Sequence, residues 1–275
     1  MLTEFPLDKK SISRLSSRGL SLDAIRKQLE SGLDFSLELW RAQGLNIVKK
    51  QGYFFFETKF TSLEDAEFCI VDIETNGSKL DKHQIIELAA VKVKNGVIVD
   101  RFDSLVECHV INEHITQITG ISVSDTENAP PLKKVLTDFK LFLGDAIFIA
   151  HDVKFDYRFI SGSFEKFDLE PLLNRSLCSL AFAERSIVSY RYALSYLSDF
   201  YSLNPNATHH RAMSDVLTTY ELFLLSLKSC SASINNVEDL IKFTKEAPRL
   251  KRPKFDPLKE VQEKEERKEK EIESK

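Results

Sequence analysis

From Phe68 the chain runs through Phe-Cys-Ile-Val-Asp-Ile and closes on Glu74, so an apolar strand buried on both faces ends in the carboxylates Asp72 and Glu74. Residues 85–93 and 97–100 follow as strands around Lys94-Asn95-Gly96, whose Asn-Gly pair favours a tight hairpin. Residues 102–106 read as a third. Residues 131–143 then place Leu132, Val135, Leu136, Phe139 and Leu143 on one helical face. A short apolar strand at 146–150, a helix at 155–164, a weak strand at 177–180 and helices at 192–200 and 211–227 complete the pattern. Interleaved strands and helices after an opening run of strands predict an α/β domain with a mixed central sheet flanked by helices.

The first 65 residues read as a separate, mainly helical module. A polar helix at 9–18, a helix at 22–29 capped by Ser21, and a third capped by Asp34 precede a hairpin with Gly52 in its turn. Three helices and a hairpin resemble a winged helix. Basic residues such as Arg14, Arg18, Arg26, Lys27, Lys49 and Lys50 offer DNA docking, but residues 1–60 carry a net charge of only +3, which favours a protein contact. The expected boundaries are 1–65 for this module, 66–230 for the α/β domain and 231–275 for a helical or disordered charged tail, nearly all Lys and Glu from residue 259. Of the net charge of −4, residues 249–275 carry +2 and residues 61–248 carry −9. A domain that acidic handles a polyanion only if bound cations offset its charge. Cys69, Cys108, Cys178 and Cys230 are widely spaced, which suits reduced thiols rather than disulfides or a zinc ribbon. With no apolar span of bilayer length and no leader-like N-terminus, the expectation is a cytoplasmic protein without a membrane partner.

Three clusters carry chemistry. Strand alternation points Asp72 and Glu74 to one face, and like charges that close repel unless cations lie between them. Hard oxygen donors suit Mg²⁺ or Mn²⁺. Ala150-His151-Asp152-Val153-Lys154-Phe155-Asp156 leaves a short strand and opens a helix, with Asp156 in its first turn. His210 precedes the last long helix, which carries Asp215, and histidine is suited to proton transfer near neutral pH. Each cluster alone has an ordinary alternative: a solvated turn, a helix N-terminal Asp, a surface His.

In this order, Asp72-x-Glu74, Asp156, and His210 with Asp215 resemble the motifs of the DEDDh, or DnaQ-like, 3′–5′ exonucleases of the ribonuclease-H-like fold. The resemblance extends over residues 67–228. Asp72-Ile-Glu-Thr-Asn-Gly77, Ile85-Ile-Glu-Leu-Ala-Ala-Val91, Ile118-Thr-Gly-Ile-Ser122 and His210-Arg-Ala212 also fit, and the set looks like the epsilon-type proofreading subunits of bacterial DNA polymerase III. One departure is Asp152, where the family usually has Asn; an extra carboxylate there alters strand contacts or faces solvent. A tyrosine-type relative would carry Tyr at the position of Arg211, so the His subclass is indicated.

The resemblance implies that Asp72, Glu74, Asp156 and Asp215 hold two divalent ions, Mg²⁺ or Mn²⁺, with His210 as general base. It implies substrate contacts from Thr75, Ile118 and Ile121, and from His151 and Asp152. Phe155 is expected in the core, and Glu87 either supports the centre or is simply paired. The implied substrate is a DNA 3′ end, single-stranded or frayed, and the implied partner a polymerase catalytic subunit reached through the tail from Ile241. The alternatives are an exoribonuclease of the same superfamily and a catalytically silent binding module.

Overall fold

The computed structural model describes residues 6–29, 31–208, 210–230 and 233–259. The N-terminal part holds helices α1 (Lys9–Leu15), α2 (Leu22–Arg26) and α3 (Leu33–Ala42), then strands β1 (Ile47–Lys50) and β2 (Tyr53–Phe56). Asp8 and Ser21 cap the first two helices through their side chains. The third starts at Gly32, so Asp34 sits inside its first turn instead of capping it.

The main body continues with β3 (Glu67–Thr75), β4 (Ile85–Lys94), β5 (Val97–Leu105), α4 (Glu113–Thr119), α5 (Val123–Thr126) and α6 (Leu132–Leu143). It ends with β6 (Ile147–Ala150), α7 (Val153–Glu165), β7 (Ser176–Cys178), α8 (Ser179–Ser186), α9 (Leu194–Tyr201), α10 (Ala212–Ser229) and α11 (Val237–Glu246). The sheet order is β5-β4-β3-β6-β7; β5, β4 and β3 pair antiparallel, β3–β6 and β6–β7 parallel. This is the mixed sheet expected, and the ribonuclease-H-like architecture. The two strands read at 97–100 and 102–106 are one, because a bulge at Lys92/Val93 absorbs the irregularity and pairing continues.

Strand alternation sorts the core into two layers. Cys69, Val71 and Ile73 of β3 face α6 and α7, while Phe68 and Ile70 face α10 and α11. Asp72 and Glu74 share the parity of Phe68 and Ile70. They therefore emerge on the side covered by α10.

Two expectations change. Helix α11 is no part of a loose tail: Val237, Leu240 and Ile241 are buried against Phe68, Ile70 and Ile147. Its apolar positions fall on one helical face, and burying that face closes the second layer. Ile241 thus belongs to the core and not to a partner-seeking segment. Residues 260–275 lie outside the described residues. The N-terminal part is also welded on. Leu173 packs into its cluster with Trp40, Leu45 and Phe56. Arg175 makes two hydrogen bonds to Glu238 and lies 4.3 Å from the Phe56 ring centroid, and Thr58 donates to the same carboxylate. Gly44, at φ +91°, allows this approach: a Cβ there would stand 2.3 Å from the Asn174 side chain. Lys49 and Lys50 lie over the Phe54 and Phe60 rings.

Candidate active site

The parallel strands β3 and β6 end at the same edge of the sheet, the usual place for a site in an α/β fold. Asp72 and Glu74 leave the end of β3, where a bulge between Glu74 and Thr75 turns the strand. Asp156 arrives from the first turn of α7, 4% exposed. Asp215 comes from the first turn of α10, 9% exposed, and accepts a hydrogen bond from the His210 backbone N–H at 3.0 Å. His210 is exposed and left-handed at φ 63°, which turns its side chain out of the helix axis toward the carboxylates. Ligand atoms of Glu74, His210 and Asp215 lie within 4.8 Å of one another. His210 is therefore as well placed to ligate as to move a proton.

The electrostatics follow from crowding. Burial pushes Asp72 well above the ordinary carboxylate range, and the charges of Asp156, Asp215, Glu74 and Glu87 add to it. Burial, then Asp215 and Glu87, raise Glu74 to about 7, against the pull of Arg211. Burial lifts Asp156 to about 8, although its own backbone N–H and that of Ile73 favour the anion. A cation bound among these carboxyls would offset their mutual repulsion. The carboxylates Glu74 and Asp215, with His210 within 4.8 Å of them, make a donor set that fits a divalent cation.

Glu87 pairs directly across from Glu74 in the β3–β4 ladder, a like-charge pair that Arg211 resolves. Buried at 2% exposure, Glu87 accepts from Arg211 Nη2 at 2.7 Å, from Arg211 Nε at 3.2 Å and from the Ala212 backbone N–H at 2.8 Å. It thus pins the start of α10, which carries Asp215, to the strand beside Asp72 and Glu74. Glu87 is paired, as one reading from sequence had it, and through the Ala212 N–H the pair also fixes the start of α10 beside the carboxylates.

The expected substrate contacts separate. Thr75 stands part-buried at the bulge, and Ile118 is 40% exposed on α4. Ile121 does not reach the surface: it is 2% exposed, packed with Ile86 and Cys108, because its hydrophobic side chain closes a small core under β4. His151 is also committed. Its Nε2 meets the Tyr192 carbonyl at 2.8 Å and its Nδ1 meets Ser179 Oγ at 3.0 Å. A carbonyl only accepts, so Nε2 carries the proton. Burial holds the imidazole below its ordinary pKa, which favours the neutral ring. His151 orients the turn into α7 and has no nitrogen left for a ligand. Asp152 is exposed and left-handed at φ 72°, so its carboxylate faces solvent. Phe155, expected in the core, is 39% exposed beside Phe159, because the helical turn that buries Asp156 faces Phe155 away from the core. Tyr192 was missed: a backbone carbonyl leaves no trace in a side-chain pattern.

A family model described as "Exonuclease" matches residues 69–223. A "DNA polymerase III PolC-type" of Staphylococcus saprophyticus is 34% identical over 188 residues, 67% of this chain and 13% of that protein. The chain thus spans about an eighth of that relative's length. Among solved structures, Exonuclease X in complex with 5′-overhanging duplex DNA superposes with a TM-score of 0.52 at 23% identity, covering 64% of this chain and 99% of that one. A zinc-ion-bound E. coli Exonuclease I–ssDNA complex gives 0.52 at 15% identity, covering 57% and 39%. At such identities the likeness is one of fold.

Proposed function

Because the chain belongs to the exonuclease family whose model spans residues 69–223, we propose that it is a DEDDh-type 3′–5′ exonuclease that releases mononucleotides from DNA. The observation that carries this reading is the convergence of Asp72, Glu74, Asp156, Asp215 and His210 at one sheet edge. The similarity to PolC-type polymerases supports a role in proofreading or repair beside a polymerase catalytic subunit.

Asp72, Glu74, Asp156 and Asp215 would hold divalent cations, Mg²⁺ or Mn²⁺, which when bound supply positive charge to the water nucleophile and the leaving oxygen. His210, at the open side, accepts the proton of the attacking water. The water oxygen bonds to phosphorus, the 3′-oxygen of the penultimate nucleotide leaves, and a 5′-mononucleotide is released. Thr75 and the bulged backbone meet the terminal nucleotide, with Ile118 against its base or sugar. Glu87 and Arg211 hold Asp215 and Glu74 in register throughout.

Polarity and sugar preference are tested together on matched DNA and RNA strands labelled at either end. On 5′-labelled DNA the reading requires a ladder of successively shorter strands, and on 3′-labelled DNA immediate release of labelled mononucleotide. Digestion of RNA alone would move the protein to RNA processing, and the opposite pattern of labels would reverse the polarity.

A further inference from the structure

After α11 the chain crosses the outside of α8 as a strap. Arg185 donates to the Ala247 carbonyl, and the Leu250 N–H to the Glu184 carbonyl, at 2.8 Å each. Buried Glu184 receives Arg249 and Arg252 at 2.9 Å each. Arg252 lies 4.9 Å from the Tyr192 ring centroid, and Asp256 accepts from Tyr196 at 2.6 Å. The strap is thereby seated on residues 188–201, which begin beside the Tyr192 carbonyl that holds His151 and lead into the loop before His210.

The surface so formed is unlike the rest of the main body. Residues 249–259 carry five basic side chains and one acidic, against −9 over residues 61–248. Among the described residues, Lys251 and Lys254 are exposed and make no ion pair. Phe255 is 72% exposed beside them. On the adjoining helix, Tyr196 stacks on Phe200 with ring centroids 6.1 Å apart, and Tyr190 borders Tyr196 at 6.5 Å. Cations interleaved with aromatic faces fit a single strand, whose phosphates and unpaired bases they engage without sequence preference.

We propose that the strap and α9 form a binding surface for single-stranded DNA leading to the active site. This rests on the nuclease reading above. The strap supplies positive charge, against the −9 of residues 61–248, on the segment whose Tyr192 carbonyl holds His151.

The test uses the full chain, wild type against Lys251→Glu/Lys254→Glu and Phe255→Ala, none of which removes a strap hydrogen bond. Affinity for 5′-fluorescein dT20 is read by anisotropy in EDTA across a salt series. Turnover of thymidine 5′-p-nitrophenyl phosphate with Mn²⁺ reads the active site alone. The proposal requires dT20 binding weaker by about tenfold or more and, for the charge reversals, less salt-dependent, with ester turnover and melting temperature as in wild type. Unchanged dT20 affinity, or equal losses in binding and ester turnover, overturns it. A wild type that binds dT20 through the strap yet leaves the ester intact would refute the nuclease reading and keep the surface.

Discussion

At the residue scale, the left-handed backbone accounts for a position that side-chain chemistry alone leaves odd. Asp152, the one departure from the motifs that the resemblance implies, holds a φ of 72°, which Asp and Asn both tolerate. The substitution keeps the turn and changes only an exposed group. The four carboxylates and His210 were legible because each sits at an element boundary that the apolar pattern marks. Ile121 and His151 were not, because motif spacing does not distinguish a side chain facing substrate from one closing the core. The raised acids fix the sign of the pH response. Glu74 at about 7 and Asp156 at about 8 bind protons more tightly folded than unfolded, so their stabilising effect is complete below about pH 4 and is lost as pH rises through 7 and 8. In EDTA the melting temperature should therefore fall between pH 5 and pH 8, by roughly 2–4 °C per kcal/mol lost, and Mn²⁺ should restore it at pH 8. No pH dependence in EDTA would contradict the crowded-carboxylate picture. Asp156→Asn removes one such charge. It should raise the metal-free melting temperature at pH 8 while lowering kcat at least about a hundredfold, the trade expected of a site that stores repulsion. A stabilised variant with full activity would remove Asp156 from the centre.

At the scale of elements, what matters is how helices carrying single functional groups are fixed to strands carrying the others. Glu87 does this for α10. Arg211→Ala leaves Glu87 buried with only the Ala212 N–H, at a cost of about 2–3 kcal/mol. Denaturation should show that loss, and steady-state kinetics should show kcat down about tenfold or more with KM little changed, since misplacement of Asp215 slows the step without removing a substrate contact. An unchanged kcat would make the ion pair purely structural. The strap is the second fixture, and it alters what truncation should do. Ending the chain at residue 259 keeps every strap contact found among the described residues, so activity and melting temperature should persist. Ending it at residue 247 strips Arg249 and Arg252 from buried Glu184 and frees the segment whose Tyr192 carbonyl holds His151. Melting temperature and turnover of the small ester should then both fall; equal behaviour of the two truncations would show the strap to be dispensable. The amphipathic spacing of α6 made it readable from sequence. Helices α4, α8 and α11 escaped notice for different reasons. The first is rich in β-branched residues and is delimited by Asn112 and Gly120, the second follows β7 without a break, and the third was masked by the charged residues around it.

Taken whole, the molecule is an acidic α/β body with a helical unit bolted to one end and a basic strap across one face. Arg175, Glu238 and Phe56 join the N-terminal part to the main body, which composition could not reveal because those contacts join residues far apart in sequence. Among the described residues no helix is long and apolar enough to cross a membrane. The central claim is that Asp72 and its partners form one cation-dependent phosphodiester-cleaving centre. Its most direct test is 5′-labelled single-stranded DNA with Mg²⁺ or Mn²⁺, run with wild type, wild type in EDTA, and Asp72→Ala. A ladder descending one nucleotide at a time with wild type alone is the expected result. A ladder that survives EDTA or Asp72→Ala, or its absence from folded wild-type protein with either metal, would contradict the claim.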